Sequence, residues 1–212
     1  MTVGLRLRTY DPRDEAAVRA LHEWALRDAG VDPADVPGTD DLNAIEASYL
    51  DAGGEFVVGV VDAADPANGP TDSANGSTDA ANGLTGPADS STDAAADDAE
   101  ASATGLATRD GTLAAMGGYL PNRAGHGEER DRPGAAELHR MRVAPPYQRR
   151  GYGRVLLREL ERRAVGADFG ALLATTSTRQ AAALEFYRAH GYEEAARSAA
   201  GAYELVHFEK EL

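Results

Sequence analysis

The chain contains no cysteine and only one lysine, Lys210, among its 212 residues. The absence of cysteine excludes disulfides, thiolate metal sites and a cysteine nucleophile. No apolar run approaches the roughly 18 residues of a membrane-spanning helix, and the segment from Met1 to Arg8 lacks the apolar stretch of a signal peptide. We therefore expect a cytoplasmic protein without a membrane partner, built as a single domain over residues 1–212.

Basic residues are scarce as well, and the charges are unevenly distributed. The formal net charge is −14, and residues 62–111 hold ten acids and one arginine, which leaves −5 for the rest of the chain. The overall sign disfavours a nucleic-acid partner, although the region from Arg140 to Arg163 contains eight arginines against two acids. Twenty arginines against one lysine, with many aspartates, suggest a high-salt organism or a GC-rich genome.

Residues 62–111 also differ from the rest in composition. Seven-residue units related to Ser-Ala-Asn-Gly-Ser-Thr-Asp recur from Pro66 onward, and branched apolar and aromatic side chains are almost absent. The units carry glycine and lack an apolar seam, so a coiled coil is excluded. Such a segment cannot offset its own ordering entropy, and we predict a disordered acidic insert. An alternative is that it acts as a partner-binding loop.

The remaining sequence reads as an α/β domain. Strands are predicted at 5–9, 55–61, 112–120, 136–143, 171–176, 192–197 and 202–210, and helices after 11–14, at 41–50, from about 151 and at 180–190. The strands on either side of the insert should pair as a hairpin, and the strand at 202–210 is a candidate edge that could support a homodimer. The predicted buried faces are Ala17, Leu21, Trp24 and Ala25 in the first helix, and Val155, Leu156, Leu160 and Ala164 in the third.

The most informative motif runs from Gln148 to Gly153 and joins the strand at 136–143 to a helix. Its glycines allow a tight turn that brings backbone N–H groups near a ligand, and the helix dipole adds positive potential there. The motif therefore predicts a polyanion site. Two known phosphate loops are excluded. A dinucleotide-binding fingerprint would need a third small residue where Leu156 stands, and a P-loop would need a lysine after its last glycine.

The pattern Gln-x-x-Gly-x-Gly, followed by Gln180-Ala-Ala-Ala-Leu-Glu-Phe-Tyr187 and the step Gly191-Tyr192, resembles the GCN5-related N-acetyltransferase (GNAT) superfamily, and the acidic composition suggests a haloarchaeal-like member. Most relatives have asparagine where Gln180 stands. The resemblance implies the GNAT fold, a mixed sheet of six to seven strands with helices on both faces. It also implies that the central strands at 136–143 and 171–176 splay apart and open a slot for pantetheine.

The resemblance further implies acetyl-CoA as cosubstrate. The backbone N–H groups at Met141 to Val143 are expected beside the thioester, where this strand often carries a bulge. The residues expected to contact acetyl-CoA are Met141, Arg142, Val143, Gln148, Arg149, Arg150, Gly151, Tyr152, Gly153, Arg154 and Gln180.

Glu137 is the candidate general base, because it matches the position of the strand glutamate that serves as base in the histone-acetylating branch. Period-two alternation predicts that it shares a face with His139, Met141 and Val143. A surface ion pair with Arg140 or Arg142 is the alternative role for Glu137. His139 is a second candidate base.

Tyr187 is the candidate acid, because the tyrosine at this point in relatives lies near the sulfur. A purely structural role as a core aromatic is the alternative. Relatives line their acceptor pockets with residues of the first two helices, so Glu23, Trp24 and Asp28 are candidate substrate contacts.

The predicted function is therefore N-acetyl transfer from acetyl-CoA to a primary amine, by direct attack with general acid and base assistance. The acceptor could be a small molecule or a protein. A non-catalytic module that binds acyl-CoA for regulation or interaction is the alternative. No metal is called for by this chemistry.

Overall fold

The structure, a computed structural model, describes residues 4–30, 32–33, 39–62, 105–122, 131–201 and 203–212. Its strands join in one mixed sheet with the order β1-β2-β4-β5-β6-β8-β7, and the short β3 pairs with β4. The fold is the expected GNAT fold. The strands are β1 Arg6–Thr9, β2 Glu55–Val61, β3 Ala107–Thr108, β4 Gly111–Pro121, β5 Ala135–Val143, β6 Ala171–Ser177, β7 Glu193–Ala200 and β8 Tyr203–Glu211.

Helices cover both faces of this sheet. Helix α1, Glu15–Asp28, packs on one face, and helices α2, Tyr152–Gly166, and α3, Ala181–Ala189, pack on the other. Two hydrophobic cores result, one on each side, because every strand of the central sheet alternates its side chains between the faces. The described residues also contain short helical turns. These are 3₁₀ turns at Pro12–Asp14, Asp40–Asn43 and Pro145–Tyr147 and a π turn at Glu46–Leu50.

The predicted second helix at 41–50 differs from the structure. The segment consists of the 3₁₀ turn and the π turn just named, separated at Ala44, whose φ of −150° lies outside the helical region. Leu42, Ile45 and Tyr49 are all buried in the core on the α1 side, as their spacing predicts for one helical face.

The buried faces of α1 and α2 are rotated slightly from the predicted ones. In α1 the side chains of Trp24 and Ala25 are only half-buried. In α2 Val155 is half-buried while Leu157 is fully buried. Each helix packs across several strands, so its buried stripe is wider than a simple spacing rule gives. The buried residues of α1 are Ala17, Val18, Leu21, His22 and Leu26.

The predicted hairpin is confirmed, because β2 and β4 pair antiparallel. The insert predicted between them, residues 62–111, falls largely at 63–104, outside the described residues. The predicted C-terminal boundary of the insert, residue 111, is wrong, because residues 105–111 belong to the fold. Leu106 is buried in the core, and Asp110 accepts hydrogen bonds from Arg6 and Arg8 at 2.8 Å each. A single leucine and a single aspartate among small residues gave no periodic signal.

The candidate edge strand at 202–210 is also corrected. This strand, β8, lies inside the sheet between β6 and β7, while β7 is the edge. Strand order is a property of tertiary pairing, and a terminal strand has no sequence pattern that separates an edge from an inner position when both neighbours are antiparallel.

Candidate active site

Strands β5 and β6 separate at the middle of the sheet. Their parallel pairing runs from Ala135 opposite Ala171 to Leu138 opposite Ala174, although β5 continues to Val143. Beyond Leu138 the strands diverge, and a slot opens between them. The splay implied by the resemblance is therefore present.

A bulge in β5 lies at this opening. Gly118 pairs with His139 and Met116 pairs with Arg142, so Gly117 faces the two residues between them. Arg140 takes a left-handed φ of 55° at this point. A bulge interrupts the ladder, and the resemblance places the backbone N–H groups expected beside the thioester at this segment.

The bulge also corrects one prediction. Met141 and Val143 pack against the core on the α2 side, whereas Glu137 and His139 face the opposite side. An extra residue shifts the alternation by one position, so every side chain after it changes face.

Contacts from both sides hold the bulge in place. Asp41 accepts hydrogen bonds from Arg140 at 2.8 and 3.0 Å and from the hydroxyl of Tyr49 at 2.6 Å. On the other side, a Cβ at Gly117 would lie 2.7 Å from Sδ of Met141. A larger residue would require the side chain of Met141 to move, so glycine favours this close approach of β4 to the bulged strand.

The loop before α2 is shaped as an anion site. Arg149 and Gly151 both have left-handed φ angles, 56° and 84°, and Gly151 is the N-cap of the helix. Alternation of left- and right-handed residues turns successive N–H groups toward one point and forms a nest. The first turn of α2 contains no acidic residue. Arginines at a helix N-terminus oppose the dipole, so a bound anion would relieve their repulsion.

The side chains of this loop serve different purposes. Gln148 donates from Nε2 to the carbonyl of Val143 and to Asp28, both at 3.3 Å. Arg150 lies over the ring of Tyr147, 5.6 Å from its centroid. The side chain of Tyr152 is buried in the core, so a ligand at this loop would meet only the backbone N–H of this predicted contact.

Further along, α2 and α3 come together beside the slot. A Cβ at Gly153 would lie 3.4 Å from the ring of Phe186, so the first turn of α2 lies close to α3 here. Arg154 is exposed on the first turn of α2. Gln180 precedes α3, and its Oε1 accepts a hydrogen bond from Thr176 at 3.1 Å, which orients its amide NH₂ group.

Glu137 is buried with 3% of its surface exposed. Its Oε1 accepts a hydrogen bond from the hydroxyl of Thr175 at 2.8 Å, and Nδ2 of Asn122 lies 3.5 Å from its Oε2. It lies one residue before the end of the β5 and β6 pairing, at the base of the slot. Arg140, an alternative partner in the sequence analysis, is held by Asp41 instead.

Tyr187 lies on α3 among Phe186, Tyr192 and Phe208 and is buried. Burial raises the pKa of its hydroxyl to about 12, Arg142 opposes this rise, and Glu137 adds to it. The phenol therefore remains protonated at neutral pH and senses charges on both sides of the slot.

On the α1 side, three basic side chains lie close together. Burial, Arg142 and Arg140 lower the pKa of His22 to about 4, so this histidine is neutral. Burial and Arg140 also lower the pKa of Arg142, which donates to the carbonyl of Met141 at 2.9 Å. The ring of His139 lies edge-on to Tyr49, 6.3 Å between centroids.

Next to His22 a cleft of about 140 Å³ opens between α1 and the following turn. Of the predicted substrate contacts, Glu23 lines this cleft and also pairs with Arg27 at 2.9 Å. Trp24 packs against the core instead, and Asp28 is the residue that accepts from Gln148. The described lining consists of Arg19, His22, Glu23, Pro33, Thr39, Leu42 and Asn43.

Three polar residues of the site escaped the sequence analysis: Asn122, Thr175 and His207. They come from the end of β4, from β6 and from β8, respectively, and no sequence motif joins them. The only local signal is a polar side chain within an apolar strand, as His207 is between Val206 and Phe208.

A sheet splayed between β5 and β6, an arginine-rich loop at the N-terminus of α2 and a buried carboxylate at the base of the slot are the features expected of an acyltransferase. Residues 78–192, more than half of the chain, match the acetyltransferase (GNAT) family. The chain belongs to this family. It is an acetyltransferase, and acetyl-CoA is its cosubstrate.

Solved structures share the fold at low sequence identity. An acetyltransferase of the GNAT family from Staphylococcus aureus superposes with a TM-score of 0.64 at 12% identity and covers 98% of this chain and 99% of its own. The yncA protein of Salmonella typhimurium, solved with acetyl-CoA, gives 0.59 at 15% identity over 98% and 93%. The ribosomal-protein-alanine N-acetyltransferase of Brucella melitensis gives 0.57 at 18% over 98% and 100%. No curated protein matches by sequence.

Proposed function

We propose that the protein transfers the acetyl group of acetyl-CoA to a primary amine by direct attack, with Glu137 as general base and Tyr187 as the hydrogen-bond donor toward sulfur. One observation carries the proposal. The N-terminus of α2, whose first turn has no acidic residue, adjoins a slot between β5 and β6 with the buried carboxylate of Glu137 at its base, and this carboxylate helps to raise the pKa of Tyr187. The groups for anion binding and for proton transfer therefore lie at the same slot between β5 and β6.

The loop from Gln148 to Arg154 fits a pyrophosphate. The N–H groups of the nest and of the first turn of α2 would donate to its oxygens, and the arginines would neutralise its charge. Gln180 would direct its amide NH₂ group toward the pantetheine arm, since its oxygen is held by Thr176.

At the reacting centre the chain supplies three groups. Glu137 accepts a proton from the incoming amine, an N–H of the bulge at Met141 to Val143 stabilises the negative charge that develops on the thioester oxygen, and Tyr187 donates a hydrogen bond to the departing sulfur. The bulge supports the second role because it frees backbone groups from the β4 ladder.

The pKa of Tyr187 limits what this residue does. Full proton transfer from a phenol of pKa about 12 to a thiolate of ordinary pKa about 8.5 is uphill by about 5 kcal/mol. Tyr187 therefore stabilises the thiolate by hydrogen bonding as the C–S bond breaks. Arg142 lowers the pKa of Tyr187 and so strengthens this bond.

The acceptor is a primary amine, and the mild acidity outside the insert favours a cationic one. The family names of similar structures suggest amines to try, among them a protein N-terminal alanine and phosphinothricin. The alternative is a module that binds acyl-CoA without turnover; a carboxylate buried at the base of the slot favours a catalyst instead.

The first test is calorimetric titration of the purified protein with acetyl-CoA at low and high salt, followed by thiol release assays. The amines would be an alanine-starting peptide, a lysine peptide, phosphinothricin, spermidine and an aminoglycoside. Micromolar binding with turnover of one amine supports the proposal. Binding without turnover of any amine would favour the non-catalytic module, and a folded protein that does not bind would remove the loop assignment.

We further propose a halophilic, cytoplasmic enzyme, on the strength of the acidic composition and the near absence of lysine. Among the described residues, no helix is long and apolar enough to cross a membrane. A homodimer would pair through an edge strand, β1 or β7, since β8 is internal.

A further inference from the structure

Four polar side chains form a continuous series of hydrogen bonds across neighbouring strands, from Glu137 on β5 to Ser198 on β7. Oγ1 of Thr175 lies 2.8 Å from Oε1 of Glu137 and 3.0 Å from Nδ1 of His207. Nε2 of His207 in turn lies 2.8 Å from Oγ of Ser198. Three neighbouring strands, β6, β8 and β7, each contribute one hydroxyl or imidazole.

The series runs from the interior to the surface. Glu137 and His207 are 3% and 4% exposed, whereas Ser198 is half-exposed on the edge strand. Leu173 and Phe208 are apolar neighbours of the buried part. The other charged groups on this face of β8 are Glu209 and Glu211, and both pair with Arg132. Buried polar groups cost free energy unless they are satisfied, so a sheet core would be built more simply from apolar residues here.

Each of these three hydrogen bonds can run in either direction. When Glu137 is ionised, Ser198 donates to Nε2, Nδ1–H donates to Thr175, and Thr175 donates to the carboxylate. When Glu137 is protonated, all three bonds reverse and His207 takes the other tautomer. Because a hydroxyl and an imidazole each carry both a donor and an acceptor, neither state leaves an unsatisfied group.

We propose that Thr175, His207 and Ser198 relay the proton that Glu137 takes from the acceptor amine out to solvent at β7. This inference rests on the proposed function, specifically on Glu137 as the base. Thr175 and His207 do not touch the substrate in this scheme; they position Glu137 and carry its proton.

The proton balance is complete. An ammonium acceptor gives one proton to Glu137 and the neutral amine then forms the amide bond as the C–S bond breaks; the thiolate retains the electron pair and takes up the proton that the amide nitrogen loses. Glu137 passes its proton to Thr175 Oγ1, Thr175 passes its own to Nδ1 of His207, and Nε2–H is released through Ser198 to water. One proton therefore reaches solvent in each cycle.

The test compares relay variants of the full chain with acetyl-CoA and the best amine of the panel. Thr175→Val and His207→Ala should lower kcat about tenfold or more with the KM for acetyl-CoA within about twofold, since general base catalysis is typically worth 10²–10⁴. Thr175→Ser keeps the hydroxyl and should retain most of kcat. Ser177→Ala removes a hydroxyl from the same face of β6 outside the relay, and its kcat should be unchanged.

A second readout separates proton relay from support of the fold. Imidazole added to His207→Ala should restore kcat in proportion to its concentration, whereas pyrazole, a ring of the same size but a much weaker base, should not. A structural role would let both rings fill the cavity equally. Rescue by both, or unchanged kcat in Thr175→Val and His207→Ala, would overturn the relay.

Failure of the relay can be told from failure of the proposed function. If Glu137→Gln abolishes turnover while the relay variants stay active, Glu137 is the base and the relay is wrong. If the wild-type protein turns over but Glu137→Gln is unaffected, the assignment of the base fails and the relay fails with it.

Discussion

Asp41 binds the guanidinium of Arg140 through both carboxylate oxygens, at 2.8 and 3.0 Å, although 99 residues separate the two. The contact ties the turn at Asp40–Asn43 to the residue whose left-handed backbone makes the bulge in β5. A non-glycine residue pays a conformational cost of about 1–2 kcal/mol in that region, and the ion pair offsets it.

Asp41→Asn should therefore relax the bulge. We expect a loss of about 2 kcal/mol in the free energy of unfolding, because a charge-assisted pair that is largely shielded from water is broken. The KM for acetyl-CoA should rise severalfold, since the N–H groups at the bulge lose their position. Denaturant unfolding and steady-state kinetics measure the two effects.

The matched control is Glu23→Gln, which breaks the exposed pair with Arg27 on α1. Exposed pairs of this kind contribute about 0.5 kcal/mol or less, so its unfolding curve should stay close to that of the wild type. Equal stability loss in both variants would mean that Arg140 does not depend on Asp41.

Gly151→Ala tests the loop. A Cβ at this position meets nothing within 4 Å, but the φ of 84° disfavours alanine by about 1 kcal/mol or more. The loop should shift and weaken binding of acetyl-CoA about tenfold in calorimetry, with little change in melting temperature. Gly166→Ala, at the end of α2 with an equally open surrounding, should leave affinity unaltered.

Tyr187→Phe should lower kcat about a hundredfold at constant KM for acetyl-CoA, because it removes one hydrogen bond to the thiolate and keeps the ring. A wild-type kcat in this variant would leave Tyr187 as a core aromatic only.

The same variant should alter stability at high pH. The folded pKa of Tyr187 is about 12 and the unfolded value about 10, so the folded state holds the proton more tightly. Its contribution is complete below pH 10 and is lost as pH rises toward 12, up to about 2–3 kcal/mol. Tyr187→Phe should show a shallower fall of unfolding free energy over this interval than the wild type.

His22 has the opposite sign. Its folded pKa of about 4 lies below the usual value of 6.5, so the unfolded state binds the proton more tightly. The stability it contributes is present above pH 6.5 and is lost as pH falls toward 4, by about 3 kcal/mol. His22→Leu should unfold with less acid sensitivity, measured by urea titration at pH 7.5 and 4.5. Identical acid sensitivity in the two proteins would show that His22 does not govern it.

The boundary of the insert gives a pair of deletions. Removal of residues 65–102 should leave melting temperature and acetyl-CoA binding within error, because a low-complexity acidic segment adds no core. Removal of 65–111 also takes away buried Leu106 and the partner of Arg6 and Arg8, and should destabilise the protein by several kcal/mol. If the shorter deletion abolished turnover, the insert would have a functional role.

Much of the fold was predictable because its signals are local. The strands at 55–61 and 171–176 were located within one residue at either end, since short apolar runs bounded by turn residues have few alternatives. The segment at 41–50 was not, because its irregular turns exist only where Leu42, Ile45 and Tyr49 meet the sheet. Propensity gives way to packing in such segments.

The sequence by itself determined the family, the acetyl donor and the loop at Gln148 to Gly153, because a phosphate site is built from consecutive backbone groups and glycines that any reader of the chain can see. Only the tertiary structure decided which face Met141 takes, that β8 is internal and that Glu137 meets Thr175 and, through it, His207. These depend on strand register, and a shift of one residue moves every side chain to the other face of the sheet.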